Sequence, residues 1–181
     1  MRVSVTERPV ADRGGAIVFT DIVGFTELTE LHGDDVALAL VDRQERIVRA
    51  ALPQRARVVK ELGDGMMLWF ECADEAITVC VELQSSFDQP DDPIPLWVRT
   101  GVHWGTPRWR GTDIIGRDVN LTSRVAALAV PGEVLCTDAV VQQAGALPNI
   151  NFTSLGAVFV KGVLDPVPVL RAERASRPQL V

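Results

Sequence analysis

The sequence predicts an α+β fold, a ferredoxin-like or palm-type sandwich in which a mixed, mainly antiparallel sheet carries flanking helices. Two observations point to it. Short β-rich runs alternate with helix-spaced stretches along the 181 residues, and Gly63-Asp64-Gly65 between two apolar runs is hairpin chemistry, which demands antiparallel neighbours. A doubly wound dinucleotide fold fits less well, because no G-x-G-x-x-G turn follows the first strand. A chain of this length suits one domain, here expected over residues 14–172, with tails at 1–13 and 173–181.

Residues 1–13 carry charges and Pro9 without periodicity, so the fold is expected to begin near Gly14. A β-rich run follows at 16–20, then helical spacing over 26–52, broken near His32-Gly33 and ended by Pro53. Strands at 57–62 and 66–70 flank the hairpin turn, and 74–87 is helical with Ile77, Cys80, Val81 and Leu83 near one face. A Pro- and Asp-rich loop over 89–95 leads to a strand at 96–104, where Val98, Thr100 and Val102 alternate with Trp97 and Gly101. A helix over 116–130, a strand at 133–137 and a short helix at 138–144 come next, and strands at 152–160 and 167–170 close the sheet.

Composition removes several functions. A net charge of −6 with scattered basic residues gives no footprint for a phosphate backbone, so no nucleic-acid partner is expected. Cys72, Cys80 and Cys136 are odd in number and form no C-x-x-C pair, which disfavours a disulfide framework or structural zinc and suits reduced thiols in the cytoplasm. No apolar stretch approaches a membrane span.

Four residues can carry chemistry. Asp21 follows a buried-looking strand and precedes Gly24 and a helix, a place that suits either a helix cap or a metal with its phosphates. Asp64 serves a tight turn equally well. If their strands are neighbours, the two carboxylates converge and can hold hard cations that brace a triphosphate. Asn120 and Arg124, four apart on one helical stripe bordered by Ser123, form either a solvated face or a pair that orients a ribose and neutralises charge on phosphorus. Val119, Leu121, Val125 and Leu128 supply that helix's apolar contacts.

The stretches Phe19-Thr20-Asp21-Ile22-Val23-Gly24-Phe25-Thr26, Lys60-Glu61-Leu62-Gly63-Asp64-Gly65 and Arg99-Thr100-Gly101-Val102-His103-Trp104-Gly105 occur in order. Asp113-Ile114-Ile115-Gly116 then runs into Val119-Asn120 and Ser123-Arg124, and Lys161-Gly162 precedes Pro166-Val167. In these motifs the chain resembles the class III adenylyl and guanylyl cyclase catalytic domain, of the bacterial homodimeric adenylyl type, over residues 16–171.

The resemblance implies conversion of ATP to 3′,5′-cyclic AMP and pyrophosphate. It implies two divalent cations, Mg²⁺ or Mn²⁺, held by Asp21, Asp64 and the Ile22 carbonyl, and a phosphate loop over 23–26 that includes Gly24, Phe25 and Thr26. Lys60 and Asp113 match the pair that reads the purine. An ammonium and a carboxylate satisfy the N1 acceptor and 6-amino donor of adenine and mismatch guanine. Asn120 would orient the ribose, Arg124 would stabilise the transition state, and Lys161 would meet the triphosphate. The family pairs two domains head to tail with shared sites, and this chain carries both halves. Residues 105–112 depart from the family's usual arm, so Arg108 and Arg110 receive no phosphate role. A cyclase-like module without turnover is disfavoured because Asp21, Asp64, Asn120 and Arg124 are all present, and a diguanylate cyclase because its Gly-Gly-Asp/Glu-Glu-Phe signature is missing.

Overall fold

A computed structural model describes residues 14–88, 92 and 94–175; the expected tail at 1–13 lies outside them, as does most of the loop expected at 89–95. The order is β1 (Gly15–Ile22), α1 (Phe25–His32), α2 (Asp34–Ala51), β2 (Ala56–Glu61), β3 (Gly65–Phe70), α3 (Ala73–Phe87) and β4 (Val98–Gly105). There follow β5 (Arg108–Arg110), β6 (Asp113–Ile115), α4 (Arg117–Leu128), β7 (Val134–Thr137), α5 (Asp138–Ala144), β8 (Ile150–Val158) and β9 (Val167–Arg174). Seven strands form one sheet in the order β2-β3-β1-β4-β7-β9-β8, and β5 and β6 form a separate pair. Within the large sheet β4 and β7 run parallel and the other neighbours antiparallel, the mixed sheet the sequence predicts.

Alternation explains the layers, since successive strand residues face opposite sides. Ala16, Val18 and Ile22 of β1, Leu68 and Phe70 of β3, and Val98 and Val102 of β4 face one side. They meet Leu40 and Val48 of α2, Ile77, Cys80 and Leu83 of α3, and Val140 of α5. On the other side Leu121 and Val125 of α4 pack with Leu135 and Val169, while Ile17, Met67 and Trp69 pack with Ile114 of β6. β3 is buried along its whole length, as a central strand covered on both faces must be.

Several expectations are corrected. Residues 105–112, which received no element from the sequence, contain Arg108–Arg110, the first strand of a hairpin whose second strand begins at Asp113. Trp97 precedes β4 and is largely exposed, and Leu128, expected to pack, is also exposed at the end of α4. β9 continues past Leu170 to Arg174, pairing with β7 as far as Ala172 and with β8 to its end, so the first residues expected in a C-terminal tail are strand.

Candidate active site

Asp21 is the penultimate residue of β1, flanked by Gly65 of β3 and Arg99 of β4 in the antiparallel registers. The Ile22 amide donates to the Asp64 carbonyl at 2.9 Å, which fixes the turn before β3 against the end of β1. Gly65 permits that approach: a Cβ there would lie 2.2 Å from the Thr20 carbonyl oxygen, so a larger residue would force the two strands apart. The strands named by the sequence are therefore neighbours, with Asp21 near the end of β1 and Asp64 in the turn that enters β3.

The electrostatics of the pair are unbalanced. Arg99 donates to Asp21 Oδ2 from Nε at 2.6 Å and from Nη2 at 2.5 Å, which compensates one carboxylate. Burial, and then the negative charge of Asp21, push the Asp64 carboxyl above the usual carboxylate range, against smaller opposing effects from its backbone hydrogen bond and Arg99. An acid raised by a neighbouring acid is what a divalent cation relieves. Among the described residues no cluster of three or more His, Cys, Asp or Glu side chains forms, so the protein offers two carboxylates and its carbonyls. That set fits a hard cation that completes its shell with water and phosphate oxygens, and does not fit zinc.

The expected phosphate loop is altered at its first position. The Val23 amide donates to the Trp97 carbonyl at 2.8 Å and is not free for a ligand. Gly24 precedes α1, and Phe25 and Thr26 open it, where helix-start amides lack intrahelical partners. A cleft of about 240 Å³ beside Asp21 is walled by Leu62, Arg99 and Ser123.

Lys60 and Asp113, 53 residues apart, meet at the surface with Nζ and Oδ2 separated by 2.9 Å. Lys60 lies on β2, and Asp113 is brought to it by the β5–β6 hairpin. The Lys60 ammonium holds the Asp113 carboxyl below its ordinary range, assisted by the Ile114 amide, which donates to Oδ1 at 2.8 Å, and by Arg110. Asn120 and Arg124 share the outer face of α4, whose inner face buries Leu121, Thr122, Val125 and Ala126. Arg124 Nη1 donates to the Lys161 carbonyl in the β8–β9 connection, so the lysine meets α4 through its backbone. The structure thus joins Asp21 with Asp64, Lys60 with Asp113, and Arg124 with Lys161, as three groups. Arg99, quoted only as part of a motif, is the residue that sequence reasoning left without a site; its register opposite Asp21 is a property of the β1–β4 pairing.

The fold is that of the nucleotide-cyclase catalytic domains. The chain matches the family model of the adenylate and guanylate cyclase catalytic domain over residues 13–169 and belongs to that family. It is 28% identical over 171 residues to putative adenylate cyclase 3 of Rhizobium meliloti, covering 91% of this chain and 29% of that protein. It is 32% identical over 130 residues to an adenylate cyclase of Streptomyces griseus, covering 71% of this chain and 32% of that protein. An adenylate cyclase structure from Trypanosoma brucei, described in its monomeric state, superposes with a TM-score of 0.82 at 25% identity, covering 91% of this chain and 90% of that one. The chain spans about a third of the length of these two curated relatives.

Proposed function

We propose that this domain is an adenylate cyclase that converts ATP to 3′,5′-cyclic AMP and pyrophosphate at a site shared between two copies of the chain. The observation that carries the reading is that the backbone of the turn before β3 is tied to the end of β1, placing Asp64 beside Asp21, where burial and the Asp21 charge raise the Asp64 carboxyl. Membership of the cyclase family supports the reaction class, and the adenylate cyclases among its relatives support ATP.

In this reading Asp21, Asp64 and the Ile22 carbonyl hold two divalent cations, Mg²⁺ or Mn²⁺. When bound, these lower the pKa of the ribose 3′-hydroxyl and offset charge on the departing pyrophosphate. For Asp21 to take a cation, the Arg99 guanidinium that holds it at rest would have to give way. The amides of Phe25 and Thr26 at the start of α1, next to Gly24, meet the triphosphate, as does Lys161. Lys60 donates to adenine N1 and Asp113 accepts from the 6-amino group, the acceptor role suiting a carboxyl that the Lys60 ammonium holds below its ordinary range. Asn120 orients the ribose and Arg124 donates to the oxygens of the α-phosphorus as the 3′-oxygen attacks in line.

The cleft beside Asp21, about 240 Å³, is smaller than pockets that enclose a whole ligand, which supports a second wall from another chain. Asp21 and Arg124 also engage separate partners, Arg99 and the Lys161 carbonyl, which suits residues that act on opposite sides of one substrate from different copies. Among the described residues no helix is long and apolar enough to cross a membrane. The test is to incubate purified protein with ATP and Mn²⁺ or Mg²⁺ and resolve the products. Equal amounts of cyclic AMP and pyrophosphate are expected, and ADP with inorganic phosphate, or no turnover in either metal, would refute the reading.

A further inference from the structure

The β5–β6 hairpin delivers Asp113 to Lys60, and its own attachment is unusual. Its strands are three residues each and form a sheet separate from the large one. A ribbon that short has no stability of its own, so side-chain contacts must hold it in place. The Lys60–Asp113 pair cannot supply that hold: the two side chains are 51% and 33% exposed, and exposed ion pairs contribute little.

The hold comes from Trp109 and Ile114, register partners that face the large sheet together. Ile114 is buried against Ile17, Met67 and Trp69. Trp109 meets the edge of Trp69 with ring centroids 5.3 Å apart and planes at 82°, an arrangement favoured by the ring quadrupoles. The Arg57 guanidinium carbon lies 4.3 Å from the Trp109 ring centroid, within cation–π range. Arg57 and Trp69 are themselves register partners across β2 and β3. One ladder therefore presents both contacts to Trp109, and the strand that supplies Arg57 also supplies Lys60.

We propose that Trp109, held by Arg57 and Trp69, is a positioning residue for purine selection: it sets the place of the hairpin over β2 and so the spacing of Asp113 from Lys60. This rests on the reading of Lys60 and Asp113 as the pair that meets the base. Displacing the hairpin leaves a carboxylate and an ammonium that no longer fit one adenine edge, and discrimination against guanine falls with the loss of that fit.

The test measures equilibrium affinities for 3′-deoxy-ATP and 3′-deoxy-GTP, which lack the attacking hydroxyl and bind without turnover, with Mn²⁺ present. The proteins are the wild type, Trp109→Ala, Trp109→Phe, Arg57→Leu, and the double variant Lys60→Glu with Asp113→Cys. Trp109→Ala is expected to lower the adenine-over-guanine ratio about tenfold, Arg57→Leu to lower it less, and Trp109→Phe to retain most of it. General loosening of the fold would weaken both nucleotides alike and leave the ratio unmoved. If the double variant shifts the ratio while Trp109→Ala and Arg57→Leu do not, the positioning role is overturned and the purine pair stands. If the double variant itself leaves the ratio unchanged, the purine pair and the positioning role both fail. Should Trp109→Ala not fold, as judged by circular dichroism, Arg57→Leu decides the matter, and an unchanged ratio in it overturns the proposal.

Discussion

Replacing Gly101 with alanine tests how closely α4, and with it Asn120 and Arg124, is seated on the sheet. Gly101 is buried in β4 between Phe19 of β1 and Leu135 of β7, and its missing side chain leaves room for the helix backbone. A Cβ at this position would lie 2.4 Å from the Ala126 nitrogen, 2.7 Å from its Cα and 2.8 Å from its Cβ. Two of those atoms are backbone, so no rotamer change can clear them. Moving from 2.4 Å to the 3.4 Å at which ordinary contact begins requires α4 to lift by about 1 Å. Overpacking of this kind costs about 1–3 kcal/mol and should lower the melting temperature by several degrees. In the proposed reaction Asn120 orients the ribose and Arg124 meets the phosphorus, so a shift of ~1 Å in α4 is expected to lower turnover on the order of 100-fold. Thermal unfolding and steady-state cyclic AMP formation read the two effects. Wild-type melting with wild-type turnover in Gly101→Ala would refute the close seating of α4.

Asp64→Asn is expected to separate stability from function. Because the folded carboxyl is raised, the free acid contributes stability that is present below the ordinary aspartate pKa and is lost as pH rises through the raised value. The amide should therefore melt higher than the wild type at neutral pH in the absence of metal, and this advantage should vanish as pH falls below the ordinary aspartate pKa. The same variant should bind Mn²⁺ more weakly by electron paramagnetic resonance; a lower melting temperature together with unchanged Mn²⁺ affinity would contradict the picture of a raised, metal-holding acid.

Much of the fold was legible because its elements announce themselves by local chemistry. Gly63-Asp64-Gly65 placed the β2–β3 hairpin, His32-Gly33 placed the break between α1 and α2, and 138–144 was read as the short helix that is observed. The β5–β6 hairpin was not legible. Three-residue strands such as Arg-Trp-Arg and Asp-Ile-Ile show too little alternation to register, and what orders them is Trp69, 40 residues upstream of Trp109 in the chain. The far end of β9 lay in the expected tail, because Glu173 and Arg174 carry charges with no apolar alternation, whereas pairing with β8 sets their conformation. At the site, Asp21 and Asp64 could be suspected from strand ends, but Arg99 could not be assigned, because its contact with Asp21 depends on the register of β1 against β4. The Val23 amide fell to the Trp97 carbonyl for a similar reason: a tertiary hydrogen bond took a donor that local sequence leaves free.

The shared site is tested most directly by mixing two inactive chains, Asp21→Ala and Arg124→Ala, in equal amounts and measuring cyclic AMP formation. Random pairing makes about half the dimers mixed, each with one site intact and one doubly disabled, so about a quarter of wild-type activity is expected to return. A mixture as inactive as either variant alone would contradict a site built from the aspartates of one chain and the α4 residues of another.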